Sequence, residues 1–100
     1  MKKNTVITFE NKEIKIPFDI IVDPKTASEL ETVTNIASGQ KAVIPKFAVA
    51  VYDVTMGANQ LAEAQDAKLG MGASTHWPTV RKGLDWFRQY FAKEYMVLLD

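Results

Sequence analysis

The chain contains no cysteine. That excludes disulfides, thiolate metal sites and thiol nucleophiles together. No apolar run approaches the roughly 20 residues that a membrane span needs. Lys2 and Lys3 precede an apolar stretch, but Val6 to Phe9 is interrupted by Thr8 and is far too short for the core of a signal peptide. The expected compartment is the cytoplasm. Charge of one sign is lacking too: 12 basic residues balance 12 acidic ones, so no overall field draws the chain toward nucleic acid or an anionic membrane. No low-complexity tract marks disorder.

What remains is an ordinary globular composition, 47% hydrophobic and 24% charged over 100 residues. That length supports one domain with a single core. At its start Ile14, Ile16, Phe18, Ile20 and Val22 alternate with Lys15, Pro17 and Asp19, the pattern of a strand with one buried face. A two-residue turn at Asn11 and Lys12 would set Phe9 opposite Ile14, Ile7 opposite Ile16 and Thr5 opposite Phe18, so a β-hairpin is expected over residues 5–22. Pro17 cannot donate to a ladder, and strand 2 outruns strand 1 toward Val22; its far end is a candidate for pairing with another chain.

Three helices are expected to follow. Asp23-Pro24 is a start signal for a short one over residues 24–38, ending at Gly39, although Thr26, Thr32 and Thr34 lower its propensity. Over residues 45–69, Phe47, Val51, Val54, Ala58, Leu61, Ala62 and Leu69 recur at spacings of three and four. Along the flank of that helix Ala50, Gly57 and Ala64 recur every seven residues, where another helix could approach closely or the helix could bend. Over residues 78–98 two rows, Val80-Leu84-Phe87-Phe91-Tyr95-Leu98 and Trp86-Tyr90-Val97, cover more of the cylinder than a surface helix usually commits to its core. Such a helix must bury two sides. The expected fold is α+β, an N-terminal hairpin followed by three helices with the last two long and antiparallel. Its expected core holds Ile7, Phe9, Ile14, Ile16, Phe18, Leu30, Val51, Val54, Leu61, Leu84, Phe87 and Phe91.

Chemistry-bearing motifs are few. Gly70-Met71-Gly72-Ala73-Ser74-Thr75 precedes a helix, but Thr75 stands where a dinucleotide fingerprint needs glycine, and the P-loop's Gly-Lys-Ser/Thr is missing. A flexible connector with Ser74 or Thr75 as helix cap explains the same residues. His76 is the only histidine and has no local orienter, nucleophile or metal partner. Asp53, Glu63, Asp66, Asp85 and Glu94 form no recognisable acid pair, so no enzyme, metal or cofactor is expected. Arg81, Lys82, Arg88 and Lys93 give the last helix a basic side that could meet phosphates, although Asp85 lies at pairing distance from Arg81 and Arg88. Trp77, Trp86, Tyr90 and Val97 are the expected partner-binding residues, because aromatic side chains with a polar handle dominate interface energetics. The competing expectation is that Trp86 and Tyr90 fill the groove between the first two helices and the hairpin.

The run Thr5-Val6-Ile7-Thr8-Phe9-Glu10-Asn11-Lys12-Glu13-Ile14-Lys15-Ile16-Pro17-Phe18 resembles the opening of small bacteriophage tail-assembly chaperones. Those begin with such a hairpin and continue into helices, and the resemblance implies a small viral or mobile-element assembly protein. The aromatic C-terminal helix departs from that family. From the residues themselves the expected function is a non-catalytic protein-interaction module, a homo-oligomer or one docking on, and inhibiting, a larger partner. Nucleic-acid binding through the basic side is the alternative. A small apolar ligand between helices, against Met56, Met71 and the aromatics, is a third.

Overall fold

A computed structural model describes residues 6–18, 23, 25–35, 37–70, 72 and 74–99. Strands β1 (Val6–Phe9) and β2 (Lys12–Lys15) form the first antiparallel hairpin. The turn sits at Glu10 and Asn11, both at positive φ (50° and 64°), one residue before the expected position. The register is therefore Phe9 opposite Lys12 and Ile7 opposite Ile14, two places from the expected one. A shift by two leaves Ile7, Phe9, Ile14 and Ile16 on one face. The shift has a reason in the core: this register turns the Lys15 carbonyl away from β1, and the buried Trp86 indole N–H donates to it at 2.7 Å. In the expected register Thr8 would compete for that carbonyl. Ile20 and Val22, the expected continuation of the strand, lie outside the described residues.

The expected helix over residues 24–38 does not form. Asp23 does start a turn: its carboxylate accepts the Lys25 N–H at 2.9 Å and its carbonyl accepts those of Thr26 and Ala27. After that turn the chain extends into β3 (Leu30–Thr34), which pairs with β4 (Lys41–Pro45) in a second antiparallel hairpin. Thr32, Val33 and Thr34 favour extended backbone, and only Val33, opposite Ala42, has its side chain turned toward the core. The connection closes on Gly39 at φ 76°, a conformation that glycine adopts without steric cost.

Helix α1 (Lys46–Leu69) runs unbroken from the end of β4, and α2 (Trp77–Tyr90) returns antiparallel to it. Phe47 meets Trp86, Tyr52 meets Phe87, and Thr55 meets Gly83 across the pair. A Cβ at Gly83 would overlap the Thr55 hydroxyl and lie 2.9 Å from its Cβ and Cγ2, so here glycine permits the close approach. The flank expected to do so is bare: Gly57 and Ala64 are exposed, Ala50 is half-buried, and nothing lies within 4 Å of a Cβ built on Gly57. The buried face of α1 is Phe47, Ala48, Val51, Thr55, Ala58 and Ala62, rotated away from Leu61 and Leu69.

The single long helix expected over residues 78–98 is divided. Phe91 leaves helical geometry (φ −138°, ψ 57°), and α3 (Ala92–Leu98) continues beyond it, with the Phe91 N–H still donating to Phe87 O and its carbonyl accepting from Tyr95. The bend lets α2 cover α1 while α3 packs on β4. The core is aromatic: Phe9, Phe47, Trp86, Phe87 and Phe91 meet at centroid separations of 5.0–6.2 Å. Ile14, Ile16, Val51, Phe87 and Phe91 are buried as expected, and Ile44, Phe47, Ala48 and Trp86 join them. Two expected core residues are instead on the surface, Leu30 at 63% exposure and Leu61 at 53%. Val54 and Leu84 are half-buried, and Ile7, Phe9 and Phe18 pack against the core from its rim.

Candidate functional site

Of the four residues expected to bind a partner, Trp86 and Tyr90 are brought together, their ring centroids 5.6 Å apart, whereas Trp77 is not. Trp86 is 5% exposed and belongs to the core. Trp77 is half-buried at the opposite end of α2, about 20 Å away along the axis from Tyr90. Its indole N–H donates to Asp66 Oδ2 at 2.8 Å. Asp66 also accepts the backbone N–H groups of Gly72 and Ser74, each at 3.0 Å. A connector expected to be flexible is therefore tethered to the end of α1 by one carboxylate. Ser74 Oγ donates to Gln65 and accepts the His76 N–H, a local turn just ahead of α2. Val97 is half-buried, and its carbonyl accepts the Asn35 side chain at 2.9 Å.

Tyr90 is half-buried and is the member of the set that reaches the larger surface groove. It lines two hollows separated by its own side chain and that of Gln89. The larger, about 550 Å³, is bounded by hairpin 1 (Phe9, Glu10, Lys12, Ile14), by hairpin 2 (Leu30, Val43, Pro45) and by the α2–α3 bend (Gln89, Tyr90, Phe91, Glu94). The smaller, about 460 Å³, lies between Lys15–Pro17 and Lys82, Asp85, Trp86, Gln89 and Tyr90. Leu30 and Val43 share the outer face of hairpin 2, since Leu30 is opposite Pro45 and Val43 opposite Thr32. At 63% and 53% exposure they form an apolar strip that runs into the larger groove. The sequence carries no sign of this strip, because Leu30 falls in a segment that reads as helix and Val43 in the connection after it.

Among the described residues lining the groove no histidine is present, and the charged groups are Glu10, Lys12 and Glu94. That arrangement can bury apolar side chains and hydrogen-bond a neighbouring backbone through Tyr90 and Gln89. The basic residues Arg81, Lys82, Arg88 and Lys93 are all exposed. Arg88 is 3.7 Å from Asp85 and stacks over Tyr95, and Lys82 lies over the Phe18 ring. On α1, desolvation by the protein beside it and then the nearby Glu31 raise the Asp53 carboxyl above its ordinary value; Tyr52 is raised by burial first and by Asp53 second. A third hollow of about 290 Å³ includes Met56, Val80, Leu84 and Leu98; Met71, expected beside Met56, lies outside the described residues.

No group of three or more residues able to hold a metal ion occurs among the described residues, and no helix there is long and apolar enough to cross a membrane. No protein-family model matches the chain, and neither a curated protein nor a solved structure is significantly similar to it.

Proposed function

We propose that the chain is a non-catalytic protein-interaction module, self-assembling or binding a larger protein, and that its docking surface is the groove between the two hairpins. The observation that carries this reading is the exposed Leu30–Val43 strip leading into a groove bounded by Phe9, Tyr90 and Phe91. Contiguous apolar surface beside aromatic side chains is characteristic of interaction sites, and a half-exposed leucine and valine each forgo about 1 kcal/mol of burial that a partner could restore. Nucleic-acid binding has less support, because Arg88 and Lys82 are already engaged with Asp85, Tyr95 and Phe18.

The test is a double variant, Leu30→Asp with Val43→Asp, compared with the wild type by light scattering over a wide concentration range and by titration against each protein captured from the native host. Loss of self-association, or at least about a tenfold loss of affinity for a captured protein, supports the groove. A wild type monomeric throughout, with every captured protein binding both forms equally, sinks the reading.

A further inference from the structure

Each sheet has two strands, so among the described residues every strand has one edge with no strand beside it. The four edges are not alike. On β2 the outward Lys15 carbonyl is taken by the Trp86 indole. On β4 the outward positions are Lys41, Val43 and Pro45; proline has no N–H to offer, lysine is a common edge guard, and α3 packs against this strand. β1 offers only Thr8 and Val6, the latter at the limit of the described segment. On β3 the phase is set by two ladder bonds, Lys46 N–H to Glu29 O and Asn35 N–H to Gln40 O, both 2.8 Å. Odd-numbered residues therefore bond β4, and Leu30, Thr32 and Thr34 turn their N–H and C=O groups away from it. All three residues are exposed. The strand has no proline, glycine, lysine or bulge to discourage pairing.

We infer that β3 pairs antiparallel with β3 of a second copy of this chain, about a two-fold axis at Thr32. The occupant follows from the strand's own sequence. With the axis at Thr32, Leu30 lies opposite Thr34 of the second copy and Thr32 opposite Thr32, giving three hydrogen-bonded pairs and about six N–H···O bonds. Glu31, the one charged side chain on the strand, then lies opposite Val33 rather than opposite itself. Moving the axis to Glu31 sets two glutamates face to face, which is repulsive, and moving it to Val33 leaves two bonded pairs in place of three. The register of greatest overlap is thus also the one without opposed like charges, as a self-pairing strand requires. The outer faces of the two second hairpins become continuous, so each Leu30–Val43 strip adjoins its copy across the axis. This inference rests on the interaction-module reading and names its partner.

Because the chain has no cysteine, Thr32→Cys introduces a single thiol. In a hydrogen-bonded antiparallel pair the two Cα atoms lie about 5.5 Å apart, within the range that a disulfide spans. With oxidised glutathione, Thr32→Cys should yield a covalent dimer at least about tenfold faster than Thr8→Cys on the β1 edge, since held thiols need not meet by diffusion. Equal rates for the two variants overturn the pairing. A second variant, Thr32→Pro, removes an N–H that the β3–β4 ladder does not use. It should keep the circular dichroism of the wild type and lose the dimer seen by light scattering. A dimer that persists in well-folded Thr32→Pro overturns strand pairing while leaving the groove reading intact, and if Thr32→Pro fails to fold, the cysteine rates decide alone.

Discussion

Hairpins 1 and 2 are built alike, each of two short antiparallel strands, yet their apolar residues meet different surroundings. In hairpin 1, Ile14 and Ile16 are each 3% exposed, and the strand is pinned where Trp86 donates to Lys15. In hairpin 2, Ile44 is buried but Leu30 and Val43, on the opposite face, are left in solvent. Burial on one face only is ordinary for an antiparallel sheet, whose outer face is then usually polar. Hairpin 1 departs from that pattern once, at Val6 (52% exposed), whereas hairpin 2 departs from it at two positions, both beside the groove. The contrast separates a structural hairpin from one with surface to spare, and it directs the search for a partner to β3 and β4.

The largest expected effect breaks the anchored side of this contrast. Trp86→Ala removes the indole that touches Phe47, Phe87 and Phe91 and deprives the Lys15 carbonyl of its partner. A loss of about 3–5 kcal/mol is expected by urea denaturation. Trp86→Phe keeps a ring but leaves the carbonyl unbonded, at a cost of about 1–3 kcal/mol. If both variants retained wild-type stability, hairpin 1 would be no more firmly held than hairpin 2.

A smaller effect sharpens the comparison from the turn. Glu10 sits at φ 50°, where a side chain other than Asn or Asp is strained. Glu10→Asn should stabilise the chain by about 0.5–1 kcal/mol, because the left-handed pair then suits the type I′ turn without altering the register. Hydrogen exchange across Ile7 and Ile14 would slow with it. Faster exchange there would mean that the turn is not what sets the register.

Much of this architecture was legible in the sequence, and the failures have identifiable causes. The faces of hairpin 1 survived an error in turn position because its register moved by two residues, which preserves alternation. Helix α1 was readable over nearly its whole length because period-3.6 spacing over 24 residues leaves little ambiguity. Hairpin 2 was hidden because Asp23-Pro24 is a true turn signal, and a single turn cannot be told from a helix start by its cap alone. The division at Phe91 was invisible because no glycine or proline marks it; the helix bends there to serve two neighbours. The Leu30–Val43 strip, and with it the candidate site, depended on strand pairing between residues 30–34 and 41–45, a non-local fact that no helical reading of residue 30 could supply. Of the four residues expected to bind a partner, Tyr90 alone lines the larger groove.

The smallest expected effect concerns the charge beneath β3. Asp53 is exposed at the surface of α1, but the protein beside it takes away part of its hydration and Glu31 lies near; both influences favour its protonated form, so its folded-state value lies above that of the unfolded chain. A raised carboxyl binds its proton more tightly when folded. It therefore costs nothing below the unfolded value of about 3.9, and a small penalty appears as pH rises through the window above that value. Asp53→Asn should remove the penalty, raising stability near pH 7 by a few tenths of a kcal/mol once solvent screening is allowed for, with no gain at pH 3. Melting temperatures at the two pH values, wild type against variant, read this directly. Asp53 stands on α1 beside the strand inferred to pair with its copy, and neutralising it leaves the outward N–H and C=O groups of Leu30, Thr32 and Thr34 untouched. The variant should accordingly change the pH profile without changing the association state, and a dimer strengthened or lost with Asp53→Asn would show that electrostatics from α1, rather than the backbone edge, governs how hairpin 2 meets its partner.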